Sequence, residues 1–314
     1  MWALVYGTLA GAIVTCIMSY LIHSYRPCFD FNLARIRELF GFGKWILGSS
    51  ILIFLLTQGD DILVGKLLGA TALGFYQIAY RISNLPATEI THVISRITFP
   101  AYSKLQDSVE KLRRAYSNVL QVTIFLSFLL AGLIFALAPE FTSIFLGQKW
   151  LPMVPAMQVM VIYGAIRSFG ATTGPLFKGV GSPDILTKLT FVQLILLAII
   201  IYPLTIKFGI FGTALSIVIP NLITQIIAGI KVMKIIQSDK SEFLKSLSFP
   251  LISAITMILL IFSIKGWIYG DVVKFLAITI IGIASYLGFI YFLSKISDYD
   301  GMKITFQTIK QVAK

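Results

Sequence analysis

"ILIFLLTQGDDILVGK", residues 51–66, decides the fold, because it sets two adjacent aspartates, Asp60 and Asp61, in a run otherwise suited to hydrocarbon. Ile51 to Leu56 precede them, and Ile62, Leu63 and Val64 follow. On a soluble domain such acids need no explanation. On a helix in lipid, an ionisable group must reach water, a partner or a polar cavity. Composition says which setting applies. Of 314 residues, 57% are hydrophobic and 13% charged, with a mean hydropathy of +0.87. Soluble domains carry about a quarter charged residues. The expected class is therefore an all-α polytopic membrane protein.

Working outward, nine apolar segments reach the length of about 20 residues that a span requires. They fall at roughly 2–22, 44–66, 73–98, 116–138, 153–177, 187–206, 210–233, 247–265 and 272–294. Strand-length alternation is missing, which argues against an outer-membrane barrel. The net charge of +12 invites a nucleic-acid reading, but its distribution does not support one. Basic residues collect in alternate connections: Arg35 and Arg37, then Arg113 and Arg114, Lys178 and Lys188, Lys234 and Lys240, and Lys303 to Lys314. The connections between them hold only Lys66, Lys149, Lys207 and Lys265. By the positive-inside rule this predicts a cytoplasmic C-terminus and an external N-terminus. Cys16 and Cys28 have no partner signature, and the two histidines are far apart, so neither a metal site nor a cofactor is expected. With no nucleophile–base pair in view, the chain does not read as an enzyme. Met1 enters a span with no basic flank and no cleavage site, which is expected of part of a longer transporter.

The third segment carries most of the polar signal. Gln77, Arg81, Asn84, Thr88, His92 and Ser95 follow steps of four and three, one face of a helix. Glu89 and Arg96 lie at its edge, and Pro86 is placed to kink it. Such a stripe faces either another polar helix or a water-filled cavity. A second stripe on the fifth segment runs Tyr163, Arg167, Gly170, Gly174, Lys178. The glycines there read as close helix contacts, and Arg167 as either a structural ion pair or a cavity group. For Asp60 and Asp61 the readings are a carboxylate at the helix end, an ion or proton site, or a salt bridge to Arg81. Neighbours 100° apart are not expected to face one target. The charged segment 103–118 reads as an interfacial cytoplasmic helix. The last two segments look lipid-facing.

These residues also form a recognisable pattern. "DDILVGKLLGATALGFYQIAYRI", residues 60–82, resembles the first two helices of a lobe in the polysaccharide-export branch of the multidrug/oligosaccharidyl-lipid/polysaccharide superfamily. The resemblance rests on Asp60 five residues before Gly65, Leu68-Gly69, Leu73-Gly74, Phe75-Tyr76 and Ala79. "FPAYSKLQDSVEKLRRAY", residues 99–116, and "FLGQKWLPMVPAMQVM", residues 145–160, resemble later parts of the same lobe. The resemblance implies two six-helix lobes about a central cavity. Residues 1–24 would then be the last helix of an incomplete first lobe and 25–43 a cytoplasmic linker. Residues 44–236 would form the second lobe, 237–295 two added helices and 296–314 a cytoplasmic tail. It also implies flipping of lipid-linked oligosaccharide or polysaccharide repeat units across the inner membrane of a bacterium or archaeon. Membrane lipids and polysaccharide-assembly proteins would be the further partners. On that reading Gln77, Arg81, Asn84, Thr88, His92 and Arg167 line the substrate path, while Asp60 and Glu89 couple an ion or pair charge. A drug or cation antiporter of the superfamily, and a non-transporting fragment or assembly partner, are the competing readings.

Overall fold

In the computed structural model, residues 2–22, 51–52, 54–266 and 271–297 are described. They are helical apart from short turns, with no strand among them, and the chain is an all-α membrane protein. It divides into two compact units, Met1–Ile53 and Phe54–Lys314. The first is represented by α1, Trp2–Ile22, whose described side chains are all exposed. The linker expected at 25–43 lies outside the described residues, as does nearly all of the expected tail.

In the second unit, α2 (54–68) stops at Gly69, whose φ of 87° is a backbone state that favours glycine. Next come α3 (Ala70–Leu105) and α4 (Val109–Phe141). The charged segment 103–118 is not a separate interfacial helix. Gln106 to Ser108 break it, so its first residues end α3 and the remainder starts α4. Ser108 sits there as an extended N-cap, a position that suits its short polar side chain. A π-turn at Thr142–Leu146 and a 3-10 turn at Gln148–Met153 lead into α5 (Val154–Gly179). The chain then forms α6 (Pro183–Ile236), α7 (Lys240–Ile264) and α8 (Asp271–Ser297).

The 54 residues of α6 are two arms folded back at Gly209, where φ is 60° and ψ −141°. The arms meet closely. A Cβ on Gly212 would overlap the Leu204 carbonyl, and the Thr205 and Thr213 hydroxyls lie 2.9 Å apart. Five described helices are long and apolar enough to cross a membrane: α1, α4 with its π-turn, α6, α7 and α8. Polar groups keep α3 and α5 out of that set.

Among the described residues, three large apolar clusters and a small one around Ala131, Val161 and Ala165 hold the second unit together. Val64, Tyr76, Met157 and Leu197 join α2, α3, α5 and α6 at one end. Tyr102, Tyr116, Phe177 and Ile236 join α3, α4, α5 and α6 at the other end. Met257, Ile261, Ile278 and Tyr286 fasten α7 and α8 to α4. Many large apolar side chains remain exposed, among them Ile199, Tyr202, Ile226, Leu259 and Ile280. In lipid, apolar burial supplies little drive between helices, so close packing and interhelical hydrogen bonds carry the association. One such set surrounds the end of α4. Pro139 cannot donate to the Phe135 carbonyl, and Gln158 of α5 donates to it instead at 3.0 Å. Lys265, just past α7, reaches the Ala136 carbonyl and the Glu140 carboxylate, the latter at 2.8 Å.

Candidate substrate site

Helices α2 and α3 run together beyond Gly69 and pair their polar residues one to one. The Tyr76 hydroxyl donates to Asp60 Oδ2 at 2.6 Å. The Gln77 amide donates to Asp61 Oδ2 at 3.0 Å. Asp60 is only 5% exposed, and its Oδ1 is buried without a hydrogen-bond partner. A buried carboxylate normally has several donors, and an unmatched oxygen carries a substantial desolvation cost. Arg81 lies nearby, exposed, and makes no ion pair among the described residues. The salt bridge from the aspartates to Arg81 that the sequence suggested is therefore replaced by bonds to Tyr76 and Gln77.

Both aspartates, Gln77 and Arg81 line one polar pocket of about 310 Å³, together with Thr57, Gln58, Ile78 and Tyr80. The two aspartates take different partners, as neighbours 100° apart are expected to, yet both edge the same pocket. Their side chains do diverge along α2, but α3 crosses beside them and its own adjacent residues meet both.

The stripe on α3 does not stay on one surface. Gln77 and Arg81 are exposed, Asn84 is 2% exposed and Thr88 is half-buried. Asn84 turns toward α5: its Oδ1 accepts a hydrogen bond from Arg167 Nη1 at 3.3 Å, and its Nδ2 donates to the Tyr80 carbonyl at 3.1 Å. Thr88 donates back to its own helix, to the Asn84 carbonyl at 3.1 Å. Tyr80 and Tyr163 pack with ring centroids 6.2 Å apart. The α3 and α5 stripes thus converge around Asn84 and Arg167, but Arg167 does not line the pocket with Arg81. The side chains of Pro86, Glu89, Thr91, His92, Ser95 and Arg96 lie outside the described residues.

Two site-forming residues were missed by the sequence reading. Tyr76 enters the sequence pattern only as half of the Phe75-Tyr76 pair, and no signal in the sequence sets its phenol against Asp60 of α2. Gly164 lies off the α5 stripe, yet it makes the close approach there. A Cβ on it would overlap the Ser83 carbonyl, and the Ser83 hydroxyl bonds the Met157 carbonyl at 2.8 Å. Of the two glycines expected to make contacts, Gly170 lies under Gln225, whereas Gly174 faces open space.

The fold and this pocket define a multi-pass membrane protein with charged groups gathered at one end of a helical lobe. In sequence the chain is similar to membrane proteins of polysaccharide biosynthesis. A family profile described as polysaccharide biosynthesis protein matches residues 1–155. The lipopolysaccharide biosynthesis protein WzxC of Escherichia coli K12 is 28% identical over 253 residues, which is 76% of this chain and 51% of WzxC. The succinoglycan biosynthesis transport protein ExoT of Rhizobium meliloti is 25% identical over 266 residues, 83% of this chain and 53% of ExoT. The teichuronic acid biosynthesis protein TuaB of Bacillus subtilis is 32% identical over 162 residues, 51% of this chain and 33% of TuaB. The chain spans about half the length of curated relatives such as WzxC and ExoT. In fold it is similar to the lipid II flippase MurJ in an inward closed conformation. The TM-score is 0.72 at 15% sequence identity, over 91% of this chain and 60% of MurJ.

Proposed function

We propose that this chain is the second-lobe portion of a flippase for lipid-linked oligosaccharide or polysaccharide repeat units in a prokaryotic cytoplasmic membrane. The observation that carries the reading is the polar pocket between α2 and α3. It brings together a guanidinium, Arg81, with no ion pair among the described residues, a buried carboxylate, Asp60, whose Oδ1 has no partner among them, and neutral hydrogen-bonding groups. A lipid-linked glycan presents a phosphate and sugar hydroxyls. Arg81 suits the phosphate because its planar fork can bind two oxygens at once. Gln77, Thr57 and Gln58 suit hydroxyls. Asn84, Thr88, His92 and Arg167 extend the proposed path along α3 and α5. Asp60, with Glu89, is the proposed coupling site for a proton or cation, since its Oδ1 lacks a donor. The first lobe, alternating access between two lobes and contacts with assembly proteins belong to the same proposal, as does the cytoplasmic C-terminus.

The excess of two aspartates over a single arginine in one pocket favours a second reading, a cation or drug antiporter. One experiment separates the two. Cells lacking the complete gene should accumulate a lipid-linked sugar on the cytoplasmic side, and the intact gene should clear it. Unchanged lipid-linked sugars together with altered sensitivity to cationic drugs would overturn the flippase reading.

A further inference from the structure

A second cavity, of about 450 Å³, lies well away from the aspartates, between α4, α5, the second arm of α6 and α7. Its walls are apolar, including Phe128, Phe169, Ile226, Ile230, Leu244 and Leu251, and no charged side chain lines it. Several of these are open to the outside: Leu244 is 59% exposed and Ile226 is 55% exposed. On α6 the lining runs from Leu222 to Met233, about 16 Å at 1.5 Å per residue. That is the depth of a single leaflet, half of a hydrocarbon core about 30 Å thick.

The end of the groove is as informative as its walls. One turn beyond Ile230, on the same helical line, stands Lys234, and one turn before Leu244 on α7 stands Lys240. Lys231 and Lys245 flank them. Arg113 of α4 is held at the same α6–α7 turn, where its Nη1 donates to the Gln237 carbonyl at 3.0 Å. The acids near this turn are Asp239 and Glu242, so the balance is basic. The N-cap residue of α7, Asp239, makes no side-chain hydrogen bond to the helix's first backbone amides.

We propose that this groove is a binding site for an anionic diacyl phospholipid of the adjoining leaflet. Its acyl chain lies between α6 and α7, and its phosphate sits among Lys234, Lys240 and the start of α7. The single-leaflet depth fits an ordinary phospholipid chain better than a long polyprenyl one, and the basic rim selects headgroup charge.

The test is native mass spectrometry on the full chain, delipidated in detergent and titrated separately with phosphatidylglycerol and with phosphatidylcholine of the same acyl chains. Phosphatidylglycerol should bind about tenfold more tightly. Lys234→Gln with Lys240→Gln should abolish that preference and leave phosphatidylcholine binding unchanged, whereas Lys→Arg at both positions should keep it. Filling the groove by Ser248→Trp should weaken both lipids together. Ile230→Trp, on the opposite wall and already exposed, should do the same if Ser248→Trp does not fold. Equal affinities in the unaltered protein, a preference that survives the double glutamine change, or no effect of either tryptophan would each overturn the site. So would displacement of phosphatidylglycerol by equimolar undecaprenyl phosphate, which would assign the groove to a substrate tail.

Discussion

At the scale of single residues, the pocket is decided by what Asp60 lacks. One oxygen has the Tyr76 hydroxyl and the other has no hydrogen-bond partner among the described residues. Removing the hydroxyl with Tyr76→Phe leaves the carboxylate without that donor, and should destabilise the protein by about 1–3 kcal/mol in thermal unfolding of the purified chain. Asp60→Asn removes the charge, so adding Tyr76→Phe to it should cost much less than Tyr76→Phe alone. Additive losses would show that the bond is not the source of the effect. Arg81 makes no ion pair among the described residues, so it should matter to export more than to folding. In the complete protein Arg81→Ala should insert normally and lose export. Arg81→Lys should be partly active, because it keeps the charge but loses the bidentate fork. Export is to be measured per inserted molecule, and full specific activity in Arg81→Ala would remove Arg81 from the substrate path. Because the structure pairs Asp60 with Tyr76, Asp60→Asn should not rescue any abundance lost in Arg81→Ala.

At the scale of elements, glycines set how closely helices approach and where they turn. Gly209 folds α6 back on itself with a φ of 60° and ψ of −141°, a region that side-chain-bearing residues rarely enter. Gly209→Ala should therefore cost about 1–3 kcal/mol, read as a lower melting temperature with unchanged helix content by circular dichroism. Gly164→Val should be worse than Gly174→Val. Only Gly164 lies against a neighbouring carbonyl, while Gly174 has open space. Equal losses at the two positions would contradict the α3–α5 packing. The Lys265–Glu140 pair tests the attachment of α7 to α4. Its side chains are only 14% and 19% exposed, so Lys265→Ala strands Glu140 and should cost about 3 kcal/mol. Lys265→Met with Glu140→Gln should recover part of that loss.

At the scale of the whole molecule, the helices join at turns that agree with the alternation of basic residues. If the positive-inside reading holds, single cysteines in a background lacking Cys16 and Cys28 should divide into two groups. Those at 67–72 and 140–151 should react with an impermeant reagent in intact cells. Those at 101–115, 179–186 and 235–246 should react only after the membrane is opened. Labelling of Asp107→Cys from outside would invert the topology, and with it the direction of transport proposed for the pocket.

Much was legible in the sequence because lipid imposes simple requirements on it. Long apolar runs must be helices, since backbone groups in hydrocarbon have to bond within their own segment. Polar residues at steps of three and four must share an arc, and basic residues mark the connections. The class of fold and the polar character of α3 follow from those rules alone, and the same rules single out Asp60, Asp61 and Arg81 as groups that need water or a partner. The pairings do not, because periodicity gives the direction of a side chain from its own axis and says nothing of what crosses in front of it. Only the packing of α3 beside α2 gave Asp60 to Tyr76 and Asp61 to Gln77, and brought both aspartates into one pocket. Only the approach of α5 sank Asn84 onto Arg167 and made Gly164, rather than Gly174, the residue that must lack a side chain.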